Sequence, residues 1–395
     1  MEAKKGAITA IGEMAAHTGS VFVPHLEEVM EVLSDAAQNH WHPLIKAEVA
    51  EALPSMVIPS VAAYHGGEIS WEKGDVGGAN PMSEHTAAIT AAGLKELILL
   101  LKDDDKTTVG KACEGIQSVI ELVGPHALVS VAAECLKCTH EILARKAPCQ
   151  QADEAYEQLP EDDDDDHDTF MTSVCDLVGS FGRVMGTHFK PYLPEFLPAV
   201  IAYAKTSRPP SDRAMSMGCL GEIGQEMEAD IAEHWQVFFL PTVLAGLADP
   251  DDNVKRNAAF CAGVCCEGLG DKAIGDYPQL LQALSPVFAV DPTQGESSAA
   301  CVDNAAAAVS RMIMASPSHI PFPQVLPALL AALPLKTDMS ENETVYTCLL
   351  GLLQMNQADL LANGEQLRRI LVEATSDTSK VADEIQEKLR AALNQ

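Results

Sequence analysis

The chain has 395 residues, 47% of them apolar and only 5% aromatic, a composition that suits many thin seams between helices better than one thick core. Its 26 Lys plus Arg against 57 Asp plus Glu give a formal net charge of −31, which argues against nucleic acid and anionic membranes as partners and favours basic proteins. Eleven cysteines, an odd number scattered through helical patterns with no secretory leader, predict reduced thiols in the cytosol or nucleus, and the apolar stretch around Leu94 to Leu101 is too short to span a bilayer.

Apolar residues recur at intervals of three and four throughout, with no sustained alternation of period two, so helices are the only regular element predicted. The first residues enter this pattern at once, and Met1 is therefore expected to lie inside a longer protein. The helices come in pairs. Second helices, rich in Ala, Gly and Cys, are expected at 2–18, 43–63, 105–123, 169–187, 211–229, 252–268, 296–315, 341–356 and 378–393. First helices carry a proline near their start, at Pro24, Pro191, Pro241, Pro278 and Pro323, where the first turn has no backbone acceptor for the missing N–H. The last four prolines are 50, 37 and 45 residues apart, which brackets the period of ~40–47 residues of HEAT repeats. Asp249 followed by Val254-Lys255, with an echo from Asp103 to Val109, reads as the HEAT turn. The Asp is expected to cap the second helix, and the basic residue to tie one repeat to the next. The fold class predicted is all-α, one solenoid over 1–395 with about eight repeats, the first represented by its second helix alone.

Two segments interrupt the rhythm. Residues 65–82, with Gly66, Gly67, Gly74, Gly77, Gly78 and Pro81, read as a Gly-rich loop. Residues 148–168 lead from Pro148 into Glu161, Asp162, Asp163, Asp164, Asp165 and Asp166, a block of like charge expected to be disordered and solvated. Two readings of that block stay open, a passive loop and a competitor for basic partners.

The stretches Asp252 to Phe260, Val302 to Pro317 and Pro323 to Lys336, set among helix pairs of this length with an acidic run between them, resemble the karyopherin-β nuclear transport receptors and their importin-4-like branch. The resemblance implies the C-terminal arm of a longer carrier that shuttles between cytoplasm and nucleus. It implies that N-terminal repeats outside this chain bind the GTPase Ran, that nucleoporins are further partners, and that the cargo is basic: histone tails, those of histone three and histone four first, and ribosomal proteins. It also implies that second helices line a concave face where acidic and Asn side chains receive lysines. Carried onto this sequence, those residues are Asn257, Asp303 and Asn304, which share a frame in successive second helices, and then Asp212, Glu222, Asp176 and Glu267. The chemistry is consistent, because a lysine in a groove needs a carboxylate for its charge and an amide or carbonyl for its remaining donors. The other reading of the two asparagines is a structural ladder between repeats.

Catalytic signatures are missing. Cys135 and Cys138 match C-x-x-C but lie inside a helical pattern with no second pair at zinc spacing, and Cys261, Cys265 and Cys266 recur at helical spacing as small core residues. No phosphate-binding loop, nucleophile elbow or EF-hand spacing occurs. A non-enzyme without metal or cofactor is expected, and two rival roles remain: a HEAT scaffold subunit, and an acidic histone chaperone that uses the solenoid only to present the run at 161–168.

Overall fold

The computed structural model describes residues 2–40, 42–151, 164–376 and 381–393, the side chains of 164–168 excepted. Among the described residues every regular element is helical. The chain divides into two compact units, Met1–Val200 and Ile201–Gln395. The first holds α1 (Glu2–Thr18), α2 (Leu26–Asn39), α3 (Pro43–Ala52), α4 (Val57–His65), α5 (Glu84–Leu100), α6 (Lys106–Val123), α7 (Ala132–Leu143), α8 (Pro148–Gln151), α9 (Asp164–Met185) and α10 (Leu193–Ile201). The second holds α11 (Pro210–Met227), α12 (Ala232–His234), α13 (Leu240–Leu247), α14 (Asp252–Leu269), α15 (Tyr277–Leu284), α16 (Glu296–Ala315), α17 (Phe322–Ala332), α18 (Asn342–Gln354), α19 (Ala358–Ala362), α20 (Gly364–Ser376) and α21 (Asp383–Leu393).

Each unit is a HEAT-type stack of helix pairs. Second helices lie side by side, α1, α3, α6 and α9 in the first unit and α11, α14, α16, α18 and α21 in the second. First helices form the other layer, with α2 beside α5 and α5 beside α7, α13 beside α15, and α17 beside α20. Small residues let the second helices approach closely. A Cβ added at Gly263 of α14 would come within 2.7 Å of the Ala308 Cα on α16, and one at Gly221 of α11 within 2.6 Å of the Phe260 ring on α14. Residues 298–310 of α16 are buried all round, as expected of a helix packed between neighbours on both sides.

The turn motif works differently from the sequence expectation. Asp251, not Asp249, caps α14 by accepting the Asn253 and Val254 amides, and Asp105 likewise caps α6 by accepting that of Thr108. The aspartate two residues earlier takes the cation of the preceding second helix. Lys46 Nζ of α3 lies 2.6 Å from Asp103, and Arg213 of α11 forks onto both oxygens of Asp249 at 2.8 and 2.9 Å. The basic residue of the motif stays at home: Lys255 pairs with Asp252 one turn away. An Asp-x-Asp turn thus divides the labour, its first carboxylate tying repeats together and its second ending the helix.

Boundaries follow the local chemistry. The helix expected at 169–187 starts earlier, at Asp164, because acidic residues favour a helix N-terminus. Pro148–Gln151 is helical with Cys149 and Gln150 buried, which corrects the expectation of disorder for those four residues. Glu161, Asp162 and Asp163 lie outside the described residues, and of the side chains of Asp164, Asp165 and Asp166 nothing is described.

At the junctions after second helices the backbone turns left-handed, at Gly19 (φ 56°), Gly124 (φ 83°), Gly186 (φ 54°) and Gly270 (φ 54°), but the equivalent position after α11 is Glu228 (φ 47°). A side chain there costs about 1–3 kcal/mol. Glu228→Gly is therefore expected to raise stability by about 1 kcal/mol after the entropic penalty of glycine, read from the midpoint of urea unfolding.

Candidate functional site

The second-helix face of the first unit carries a line of carboxylates. Glu114 and Glu121 of α6 are seven residues apart, two helical turns, and so share a face. Opposite them on α9, Ser173 donates to Glu114 at 3.0 Å and Ser180 to Glu121 at 2.6 Å. Asp176 sits between these two rungs. Partly buried, it accepts no side-chain hydrogen bond among the described residues. Burial, and then the charges of Glu114 and Glu121, hold its carboxyl above the ordinary range. Neighbouring cations serve the two glutamates: Lys111 reaches Glu114 at 2.9 Å, and Arg183 reaches Glu121 at 2.9 Å. The Glu114 side chain keeps 42% of its surface open. Beside it, a cleft between α3–α4 and α6 is lined by Glu51, Pro54, Ile58, Glu114, Ser118 and Leu122 among others. The rim carries Glu51 and Glu114 and also Lys111, which already pairs with Glu114, above apolar walls that suit the methylene stem of a lysine.

The residues expected in the second unit fare unequally. Asp303 is 1% exposed, and its carboxylate accepts the backbone N–H groups of Lys336, Thr337 and Asp338 at 2.7–3.1 Å. Asn304, also buried, donates to Ala300 O and to Asp338, which in turn receives Arg256 of α14 at 3.0 Å. Both residues hold the loop after α17 onto α16, which corrects the expectation that they face a partner. The cause is helical register: their frame points at the next repeat. Asn257 ties the other way, donating to Ala214 O of α11 in the preceding repeat at 2.8 Å, the ladder role left open by the sequence. Asp212 is buried, 3.7 Å from Arg208. Glu222 is partly buried on α11, and Glu267 is exposed, 3.5 Å from Arg311. Glu114, Glu121 and Glu51 were missed by the sequence reading, although the seven-residue spacing of the first two was an available signal.

The eleven cysteines are buried and free, and burial pushes the Cys113, Cys135 and Cys265 thiols well up, away from nucleophilic or ligand chemistry. Among the described residues no group of three or more His, Cys, Asp or Glu is placed to hold a metal ion, and no helix is long and apolar enough to cross a membrane.

No family model matches the sequence. The chain is 26% identical over 404 residues to a Schizosaccharomyces pombe protein named "Probable importin subunit beta-4", covering 99% of this chain and 37% of that protein. To importin-4 of Homo sapiens it is 27% identical over 374 residues, 93% of this chain and 33% of the relative. The chain thus spans about a third of the length of these relatives. Among solved structures it superposes on karyopherin Kap121p bound to RanGTP with a TM-score of 0.76 at 16% identity, covering 100% of this chain and 34% of that one. Kap121p bound to the SUMO protease Ulp1p gives the same score over 98% of this chain and 34% of that one, which shows a shared HEAT-repeat fold.

Proposed function

We propose, from the homology of this chain to importin-4 and the importin subunit beta-4, that the α6–α9 face of its first unit holds a lysine-rich segment of protein cargo, such as a histone tail or a ribosomal protein. The observation that carries the reading is Asp176, a carboxylate set between two others and short of a cation of its own. An arriving ammonium would relieve that repulsion. Ile58 and Leu122 would take the methylene stem of a second lysine beside Glu51 and Glu114. Within the second unit, Glu222, Glu267 and the amide oxygen of Asn257 would offer contacts of their own to a basic segment, whereas Asp212 is too enclosed to meet a side chain from solvent. The run at 161–166 would act at longer range, raising the rate of encounter with basic cargo in a salt-dependent way. Contacts with Ran would fall to repeats outside this chain, nucleoporins would be further partners, and the carrier would shuttle between cytoplasm and nucleus without catalysing a reaction.

Calorimetric titration of a histone-tail peptide and of a scrambled peptide of equal charge, at two salt concentrations, tests this. Asp176→Asn is expected to weaken the tail on the order of tenfold, while deletion of 161–166 lowers the association rate and the salt dependence. If Asp176→Asn and Glu114→Gln bind like wild type and the deletion abolishes binding, the acidic-chaperone reading replaces this one.

The raised pKa of Asp176 adds a signed expectation. Lysine binds the ionised carboxylate, so protons compete with cargo, and affinity should fall as pH drops through that raised pKa, with proton release on binding at pH values around it and none well above it. Titrations in buffers of different ionisation enthalpy read that proton directly. Asp176→Asn should remove the component of the pH dependence that stems from this raised pKa.

A further inference from the structure

The Gly-rich segment between α4 and α5 is far longer than two adjacent antiparallel helices need, since helix–helix connections run to about 2–8 residues. Its neck is closed, with the Ser83 amide donating to His65 Nε2 at 3.1 Å and Thr86 Oγ1 at 3.1 Å from the same nitrogen. From there the segment crosses to the C-terminal ends of two later second helices. At α6, Trp71 Nε1 donates to the Glu121 carbonyl at 3.1 Å. The helical donor for that carbonyl would be residue 125, which is Pro125 and has no N–H, so the indole fills a vacancy the sequence creates. The ring covers Gly124, where an added Cβ would fall 2.4 Å from Trp71 Cγ. At α9, the Gly74 amide donates to the Val184 carbonyl at 2.9 Å, and Lys73 lies against Gly186. Gly74 is itself left-handed (φ 72°), and a Cβ there would fall 2.9 Å from the Met185 carbonyl oxygen.

We infer that residues 66–83 form a strap, a built-in conformational device that fixes the spacing of three successive helix pairs by capping α6 with Trp71 and α9 with Gly74. The inference is independent of what the acidic face binds. Gly-rich sequence here serves close backbone approach rather than freedom of motion, and the two seats on the far helices are glycines for the same reason.

Amide hydrogen exchange followed by mass spectrometry tests the strap on the full chain. Trp71→Ala should speed exchange in 121–129 and in 184–189 by tenfold or more, and leave α14 and α16 unchanged. Gly74→Ala should speed exchange in 184–189 alone. Gly124→Ala should mimic Trp71→Ala and add little in its background, because both remove the same seat. Trp71→Phe keeps the ring and loses the donor, so its effect should be confined to 121–129 and smaller. Wild-type exchange in 184–189 for both Trp71→Ala and Gly74→Ala would overturn the inference, as would equal acceleration in α14 and α16, which would show general loosening in place of a local tie.

Discussion

Arg213→Ala is expected to destabilise the second unit by about 3–5 kcal/mol, the range for removing one partner of a buried ion pair. The guanidinium is held on both oxygens of Asp249, and the two side chains are only 9% and 7% exposed. Truncation leaves a carboxylate enclosed with the Asp251 amide as its remaining donor among those described. The pH dependence gives the effect a signature. In the native chain burial pushes the Asp249 carboxyl up, but the Arg213 hydrogen bond, the Asp251 amide and the nearby positive charges outweigh it and hold the group below its ordinary value. A depressed carboxyl contributes stability that is complete above the unfolded value of about 3.9 and is lost as pH falls through the folded one. Without Arg213 the carboxylate loses its largest charge-stabilising partner, the folded value rises, and protonation relieves the variant. The deficit should therefore be larger at pH 7 than near pH 4, by urea unfolding at both. An equal deficit at the two pH values would mean that the arginine acts through its packing and not its charge.

The fold was legible because its signals are periodic. Proline at first-helix starts and Ala, Gly and Cys in second helices follow from packing rules that hold in every repeat, and the expected second helices match α1, α6, α11, α14 and α16 to within two residues. The turn chemistry was legible in kind but not in assignment: Asp103 and Asp105, like Asp249 and Asp251, are the same residue type two positions apart, and only the position of Lys46 and Arg213 in space shows which carboxylate ties and which caps. The site was less legible for a geometric reason. Second helices touch a neighbour on each side, so an acidic residue has three directions available, and a one-residue change of frame separates a partner-facing carboxylate from an inter-repeat anchor. Asp303 is such an anchor, whereas Asp176, partly buried between two glutamates, is the one proposed to meet cargo. The strap lay in a stretch that read only as a Gly-rich loop, and its clue was the pairing of a tryptophan at 71 with Gly124-Pro125 some fifty residues on.

Asp303→Lys separates those outcomes, because a surface contact and an internal anchor predict different losses. A partner-facing aspartate replaced by lysine would leave the protein folded and weaken only cargo binding. The geometry predicts the opposite order. Three backbone N–H groups of an exposed to half-buried loop converge on the carboxylate, two of them at 2.7 and 2.9 Å, and a donor left unsatisfied there costs at most about 1–3 kcal/mol. Lysine supplies no acceptor and places a second cation beside Lys336, so the loop 336–338 must leave α16. Asp338 would go with it, freeing Arg256 and Asn304 from the carboxylate they share. A loss of about 4 kcal/mol or more in unfolding free energy is expected, discounted from the simple sum because the detached loop regains water. Asp303→Asn should cost less, about 1.5–3 kcal/mol, since the amide oxygen retains part of the acceptor role. Urea unfolding of both variants beside Asp176→Asn makes the comparison internal: Asp176→Asn should unfold at or slightly above the wild-type midpoint, because it removes a like-charge repulsion, while binding the tail less well. A wild-type midpoint for Asp303→Lys would show that the three amides find water at no cost and that the anchor is not needed.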